Sequence, residues 1–290
     1  MDIRNNILKE LKSHYIDQLL ELYDKPEAEL LVSIIIEHYF GMSRIDMAMN
    51  PDKRLSESEI LSLHMSVKEL KNKKPVQYIT GVVEFSGLSI HVDENVLIPR
   101  PETEELVNLV LENERVAGLK VLDIGTGSGC IAIVVCNKLV DAEVVAVDIS
   151  PEVVKLAQKN ADRNEVKVSF ELYDILSPDF QQKQIFRLFD VIVSNPPYVT
   201  LSDKEKMHAN VLDYEPHGAL FVPEENPLIF YDAIFKFAEK NLISKGRVYF
   251  EINESFSEEM KNLAAEYGYQ KIMIQKDIRG KNRFMRATKA

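Results

Sequence analysis

Tryptophan is absent from the 290 residues, and cysteine occurs only twice, at Cys130 and Cys136. Two thiols six positions apart, without ligand-type companions, build neither a disulfide framework nor a zinc site, so a reducing, cytoplasmic setting is expected. No apolar run approaches the length that crosses a bilayer, and Met1-Asp2-Ile3-Arg4-Asn5 lacks the apolar core of a signal peptide, so no membrane partner is expected. Basic residues are outnumbered, 35 Lys and Arg against 46 Asp and Glu, which gives a net charge of −11. That balance argues against a phosphate backbone as the main partner, because nucleic-acid binding domains carry a basic face. Internal repeats and low-complexity segments are also lacking. What remains is a chain 46% hydrophobic, enough for one large or two modest domains. A monomer is expected.

Residues 1–74 read as a small helical bundle. Ile3, Ile7, Leu8, Leu11, Tyr15, Leu19 and Leu22 recur at helical steps. Pro26 starts a second helix and Gly41 stops it; a third covers Ser43 to Met49. Ser56 and Glu59 form a capping box for a fourth. No residue of the bundle carries chemistry, so its expected role is substrate recognition. Residues 75–98 read as a β-hairpin linker, strand-like from Val76 to Val92, with Ser86-Gly87 as its turn.

Residues 99–290 open with Pro99-Arg100-Pro101, and a helix is expected from Glu102 or Thr103. From Leu119 strands and helices alternate, which predicts an α/β doubly wound sheet. Strands are expected at Lys120–Ile124, Glu143–Asp148, Val166–Leu172, Phe189–Ser194, Gly246–Ile252, Gln270–Gln275 and Asn282–Ala287. No helix separates the last two, so that pair should be antiparallel. Seven strands with an antiparallel last strand are thus expected.

Two motifs carry chemistry. Gly125-Thr126-Gly127-Ser128-Gly129 follows a buried strand, but its third glycine comes one residue too early for a dinucleotide fingerprint, and no P-loop lysine follows. It suits a zwitterionic, sulfonium-bearing ligand. Asp123 is expected near the sulfonium and amino group, Asp148 on the ribose hydroxyls, and Asp174 on the adenine amine, with Ile175 against the ring. The second motif, Asn195-Pro196-Pro197-Tyr198, closes another strand. Prolines fix φ and remove donors, which leaves a stiff corner that presents the Asn195 side-chain oxygen and the Pro196 carbonyl. Two close acceptors fit a planar NH2 group. Tyr198 is expected to pack on the flat amide, and Phe85, Arg100 and Glu215 to touch the substrate loop. His208 and His217 read as solvated.

The chain as a whole resembles the protein-(glutamine-N5) methyltransferases of the PrmC/HemK type. The resemblance runs through Gln77-Tyr78-Ile79, Gly81, Leu97-Ile98-Pro99-Arg100-Pro101-Glu102-Thr103-Glu104, Asp123 to Gly129, Asn195 to Tyr198, Tyr214-Glu215-Pro216, and Lys276-Asp277 with Gly280-Lys281 and Arg283. It implies S-adenosylmethionine as cofactor, no metal, and the glutamine of the Gly-Gly-Gln loop of peptide chain release factors as substrate. Adenine-N6 methylation of DNA and glutamine methylation of a ribosomal protein are the alternative readings; a non-catalytic nucleotide-binding scaffold is a third. Asn253 stands where the family usually shows glycine, which bears on the local turn. With tryptophan missing, any aromatic wall must come from Phe or Tyr.

Overall fold

The computed structural model describes residues 6–178, 188–207 and 209–290. Two compact units emerge, Met1–Gly81 with His208–Tyr214, and Val82–Met207 with Glu215–Ala290.

The first unit packs α1 (Leu8–Leu19), α2 (Lys25–Phe40), α3 (Arg44–Met49), α4 (Glu57–Lys71) and the single turn α5 (Val76–Thr80) around Leu11, Leu19, Val32, Ile36, Leu63 and Val67. The Asp24 side chain caps α2, and capping boxes built on Ser43 and Ser56 open α3 and α4. Each such cap stabilises a helix start by about 1 kcal/mol. The part of the first expected helix before residue 6 lies outside the described residues. Val76–Thr80, expected as strand, is helical instead. Pro75 pre-sets the start, Gly81 at φ 71° ends it, and Val76 and Tyr78 are buried; tertiary burial overrides the β preference of Val76, Ile79 and Thr80.

The second unit begins with the hairpin of β1 (Val82–Phe85) and β2 (Leu88–His91). Its turn residues Ser86 and Gly87 both have positive φ, as a two-residue hairpin turn requires. Next come α6 (Pro101–Asn113), β3 (Lys120–Ile124), α7 (Cys130–Lys138), β4 (Glu143–Asp148), α8 (Pro151–Arg163), β5 (Val168–Leu172) and β6 (Phe189–Ser194). α6 starts at Pro101, earlier than expected: proline is already at the helical φ, and it holds the preceding Arg100 extended. The chain continues through α9 (Ala209–Tyr214, part of the first unit), α10 (Ile229–Asn241), β7 (Leu242–Glu251), α11 (Ser257–Glu266), β8 (Tyr269–Lys276) and β9 (Asn282–Lys289).

The sheet runs β5-β4-β3-β6-β7-β9-β8. Its first five strands are parallel, and β9 enters antiparallel between β7 and β8. The antiparallel pairing of the last two strands is therefore as expected. Along β3 the pleat sends Val121 to the face covered by α6 and α7, and Leu122 and Ile124 to the face covered by α10 and α11. The winding reverses between β3 and β6, the place where open α/β sheets bind ligands.

Asn160 of α8 locks the hairpin to this sheet. It is fully buried; its Oδ1 accepts the His91 N–H at 2.9 Å, and its Nδ2 donates to the carbonyls of His91 and Ser128 at 2.8 and 2.9 Å. One side chain thus ties β2 and the turn after β3 to α8. Replacing Asn160 by Ala removes all three bonds inside the protein and is expected to cost about 2–3 kcal/mol. Urea unfolding checks this, and a loss below about 0.5 kcal/mol would contradict it.

Candidate active site

Register decides what meets what at the carboxyl ends of the strands. Ile124 pairs with both Val147 and Ser194, and Ser194 pairs with Phe250. The next residue on each strand is therefore level with the others: Asp148, Gly125, Asn195 and Glu251. A cavity of about 570 Å³ opens over this line. Gly125 to Ser128, Asp148, Asp174, Ile175, Asn195 to Pro197 and Arg100 all border it, and Tyr173 and Phe230 supply its aromatic rings.

The glycine turn divides its work. Gly125, Gly127 and Gly129 sit at φ 72°, 55° and 84°, where side chains are strained. A Cβ on Gly125 or Gly127 would meet no atom within 4 Å, so those positions keep room beside the cavity. A Cβ on Gly129 would lie 3.1 Å from both the Ala157 Cβ and the Ile133 Cδ1. Gly129 does not border the cavity: it lets α7 and α8 approach, and its expected cofactor contact is replaced by a packing role.

Asp148 accepts from the backbone N–H of Gly127 at 3.0 Å and of Ser150 at 3.2 Å, so it shapes the turn and faces the cavity together. Burial raises its carboxyl above the ordinary range, and those N–H donors pull it back. Asp174 turns one oxygen to the Leu176 N–H at 2.8 Å. Arg100 is the single cation among the described residues that border the cavity, and its Nη2 donates to Glu215 Oε1 at 2.5 Å.

At the proline corner, Asn195 Nδ2 donates to Thr103 Oγ1 at 3.1 Å, and Thr103 Oγ1 donates to Glu251 Oε2 at 2.8 Å. Tyr198 Oη donates to Glu251 Oε1 at 2.8 Å. Burial raises the Glu251 carboxyl; the two hydroxyls and the nearby Arg283 guanidinium lower it again. Burial likewise pushes the Tyr198 phenol well up, with Glu251 adding to the effect, so it stays a donor. Asn253 steadies the corner from behind. Its backbone is at φ −70°, open to any residue, and its Nδ2 donates to the Tyr198 carbonyl and to Asp203, both at 3.2 Å.

Four further expectations are corrected. Asp123 does not border the cavity: it is fully buried on the Val121 face of β3, where Thr126 Oγ1 donates to it at 2.6 Å and burial pushes its carboxyl up to about 7. Phe85 is 1% exposed in the core with Ile90, because the hairpin turns it inward. Glu215 is buried and spends its carboxylate on Arg100 and on the Ile98 N–H, so it anchors the arginine instead of touching substrate. Tyr198 packs toward the core behind the corner rather than over the cavity. His208 lies outside the described residues; His217 is exposed, its ring edge-on to Phe221.

Thr103, Glu251 and Asn160 were missed. A carboxylate closing the apolar run Val248-Tyr249-Phe250, level with an Asn that closes the neighbouring strand, is the signal that would have found Glu251. Nothing in the sequence joins it to Thr103, 148 positions away.

The Methyltransferase domain family matches residues 115–286, and the PrmC N-terminal domain family matches residues 10–81. A solved methyltransferase from Pyrococcus furiosus shares the fold, with a TM-score of 0.52 and 20% identity over 71% of this chain and 90% of that one. Fold and site together define a methyltransferase. The chain is 41% identical, over 97% of its length and 98% of the relative's, to a Flavobacterium psychrophilum protein named release factor glutamine methyltransferase. A Bacteroides thetaiotaomicron protein of the same name is 41% identical, over 95% of this chain and 98% of its own. The chain belongs to the release factor glutamine methyltransferase family.

The two kinds of glycine separate by measurement. Gly129→Ala combines left-handed strain with crowding and is expected to lose about 2–4 kcal/mol of stability. Gly127→Ala carries the strain alone, about 1–2 kcal/mol, but is expected to weaken S-adenosylmethionine binding at least tenfold by intruding on the cavity. Chemical denaturation and titration calorimetry read the two effects; equal losses of stability would refute the division.

Proposed function

We propose that this chain transfers a methyl group from S-adenosylmethionine to the side-chain amide nitrogen (N5) of the glutamine in the Gly-Gly-Gln loop of peptide chain release factors. The observation that carries the reading is the placement of Asn195 and Pro196 at the cavity beside the glycine turn, with the Asn195 NH2 group already committed to Thr103.

The residues present fit the cofactor. Both oxygens of Asp148 accept backbone N–H groups and keep lone pairs for the ribose hydroxyls. Asp174 keeps an oxygen for the adenine amine, and Ile175 borders the space for the ring. Gly125 and Gly127 leave room for the amino-acid part. When bound, S-adenosylmethionine supplies a methyl group on a positively charged sulfur. An amide nitrogen is a poor nucleophile, because its lone pair is shared with the carbonyl. The Asn195 Oδ1 and the Pro196 carbonyl accept both hydrogens of the glutamine NH2, orient its nitrogen, and stabilise the positive charge that grows there. The nitrogen gains its bond to the methyl carbon as the sulfur–methyl bond breaks, the sulfur keeps that electron pair and leaves as a neutral thioether, and the nitrogen then releases one proton.

The domains divide the work. Residues 1–74 recognise the substrate protein, 75–98 link, and 99–290 carry the chemistry. Recognition by the helical unit is supported by exposed apolar side chains at helical spacing, Ile45 with Met49 and Leu61 with Met65. No helix among the described residues is long and apolar enough to cross a membrane. A release factor substrate supports a cytoplasmic location.

The test is mass spectrometry of a release factor incubated with the protein and S-adenosylmethionine, with duplex DNA in parallel. One added methyl on the loop glutamine is expected; label on DNA instead would overturn the assignment. Asn195→Ala is expected to keep cofactor affinity within about tenfold yet lose roughly 10²–10³ in turnover. Turnover like the wild type would remove Asn195 from its role.

A further inference from the structure

An asparagine amide has nearly the same outline either way round, so only its hydrogen-bond partners choose which end faces the substrate. For an enzyme that must grip an NH2 group the choice matters. The oxygen attracts that group, whereas the Asn NH2 would meet it donor to donor. The proline corner fixes the backbone at Asn195 but leaves this flip undecided.

The structure decides it from behind. Glu251 is 2% exposed, and an ionised carboxylate only accepts. Thr103, 3% exposed, has a single O–H, and that O–H is spent on Glu251 Oε2. Toward Asn195 the Thr103 oxygen is therefore left as an acceptor, and it takes the Asn195 Nδ2 hydrogen. No hydrogen bond among the described residues reaches Asn195 Oδ1, which stays available where Asn195 borders the cavity. The second Glu251 oxygen takes the Tyr198 hydroxyl, so the same carboxylate holds both ends of the four-residue corner. Arg283 stands near enough to stabilise the charge.

We propose that Glu251 and Thr103 are positioning residues: a donor relay running Asn195 to Thr103 to Glu251 fixes the Asn195 amide with its oxygen toward the substrate nitrogen. The relay also polarises the amide. Each donation toward the carboxylate increases the negative charge on Asn195 Oδ1, which strengthens its grip as charge develops on the substrate nitrogen. α6 contributes Thr103 from its first turn, so Pro99-Arg100-Pro101 serves to aim a hydroxyl as well as to hold an arginine. The inference rests on the role given to Asn195 above.

The test uses the full chain, S-adenosylmethionine and a purified release factor. Thr103→Val keeps the shape and removes the relay. It is expected to lower kcat on the order of 10–100-fold while the melting temperature, the KM for the release factor and cofactor affinity stay near wild type. Thr103→Ser restores the hydroxyl and is expected to recover most of kcat. Glu251→Gln, which can present either a donor or an acceptor to Thr103, is expected to fall between the wild type and Thr103→Val. In an Asn195→Ala background, Thr103→Val is expected to add no further loss, since both act through one amide. If Asn195→Ala is inactive but Thr103→Val turns over like the wild type, the relay is refuted and the assignment of Asn195 stands. If Asn195→Ala itself is fully active, the assignment falls first. A Thr103→Ser variant as slow as Thr103→Val would also refute the relay.

Discussion

In-register parallel pairing of β4, β3, β6 and β7 is the constraint on which the site depends. It sets Asp148, Gly125, Asn195 and Glu251 on one level at the carboxyl edge of the sheet. A one-residue slip of any strand would turn its side chains to the opposite face. Slippage is opposed on both faces, because these strands are buried against α6 and α7 on one side and α10 and α11 on the other. A polar lock sits just below that level, where the Ser194 hydroxyl donates to the Ile124 carbonyl at 2.6 Å.

On that edge the polar groups belong to two connected systems. One surrounds the glycine turn: Thr126 reaches down to Asp123, Gly127 reaches across to Asp148, and Asn160 reaches up to Ser128. The other surrounds the proline corner, with Thr103, Tyr198 and Glu251. Buried carboxylates are costly unless their lone pairs are filled. Glu251 meets that condition with two hydroxyls, and Glu215 with Arg100 and the Ile98 N–H. Polar groups are thus buried where they orient others, and the groups left facing the cavity are those with lone pairs to spare.

Depth in the sheet and burial in the core account for three of the corrected residues. Only the last residues of a strand reach the carboxyl edge, so an acid on the same face but deeper in the strand is buried in the core instead of meeting the ligand. Asp148, the last residue of β4, borders the cavity, whereas Asp123 pairs with Ala146, deeper on the same face of the sheet, and is fully buried. The sequence places Tyr198 on the flat amide and Phe85 at the substrate loop. Burying an aromatic ring in a core is worth more, and both rings point inward.

Local chemistry sufficed for much of this protein. Helix caps, the Ser86-Gly87 turn, the alternation of strand and helix, and both the Gly125 to Gly129 and Asn195 to Tyr198 motifs are properties of neighbouring residues, so the sequence alone pointed to the fold class, the methyl donor and a stiff proline corner at a strand end. Contacts far apart in sequence required the tertiary structure. Thr103 to Glu251 spans 148 positions, Arg100 to Glu215 spans 115, and His91 to Asn160 spans 69. No local preference encodes such pairs: they arise only when strand register and helix packing bring separate elements to one edge. Only the folded chain could decide which end of the Asn195 amide faces outward, because that depends on the Glu251 carboxylate of the neighbouring strand acting through Thr103.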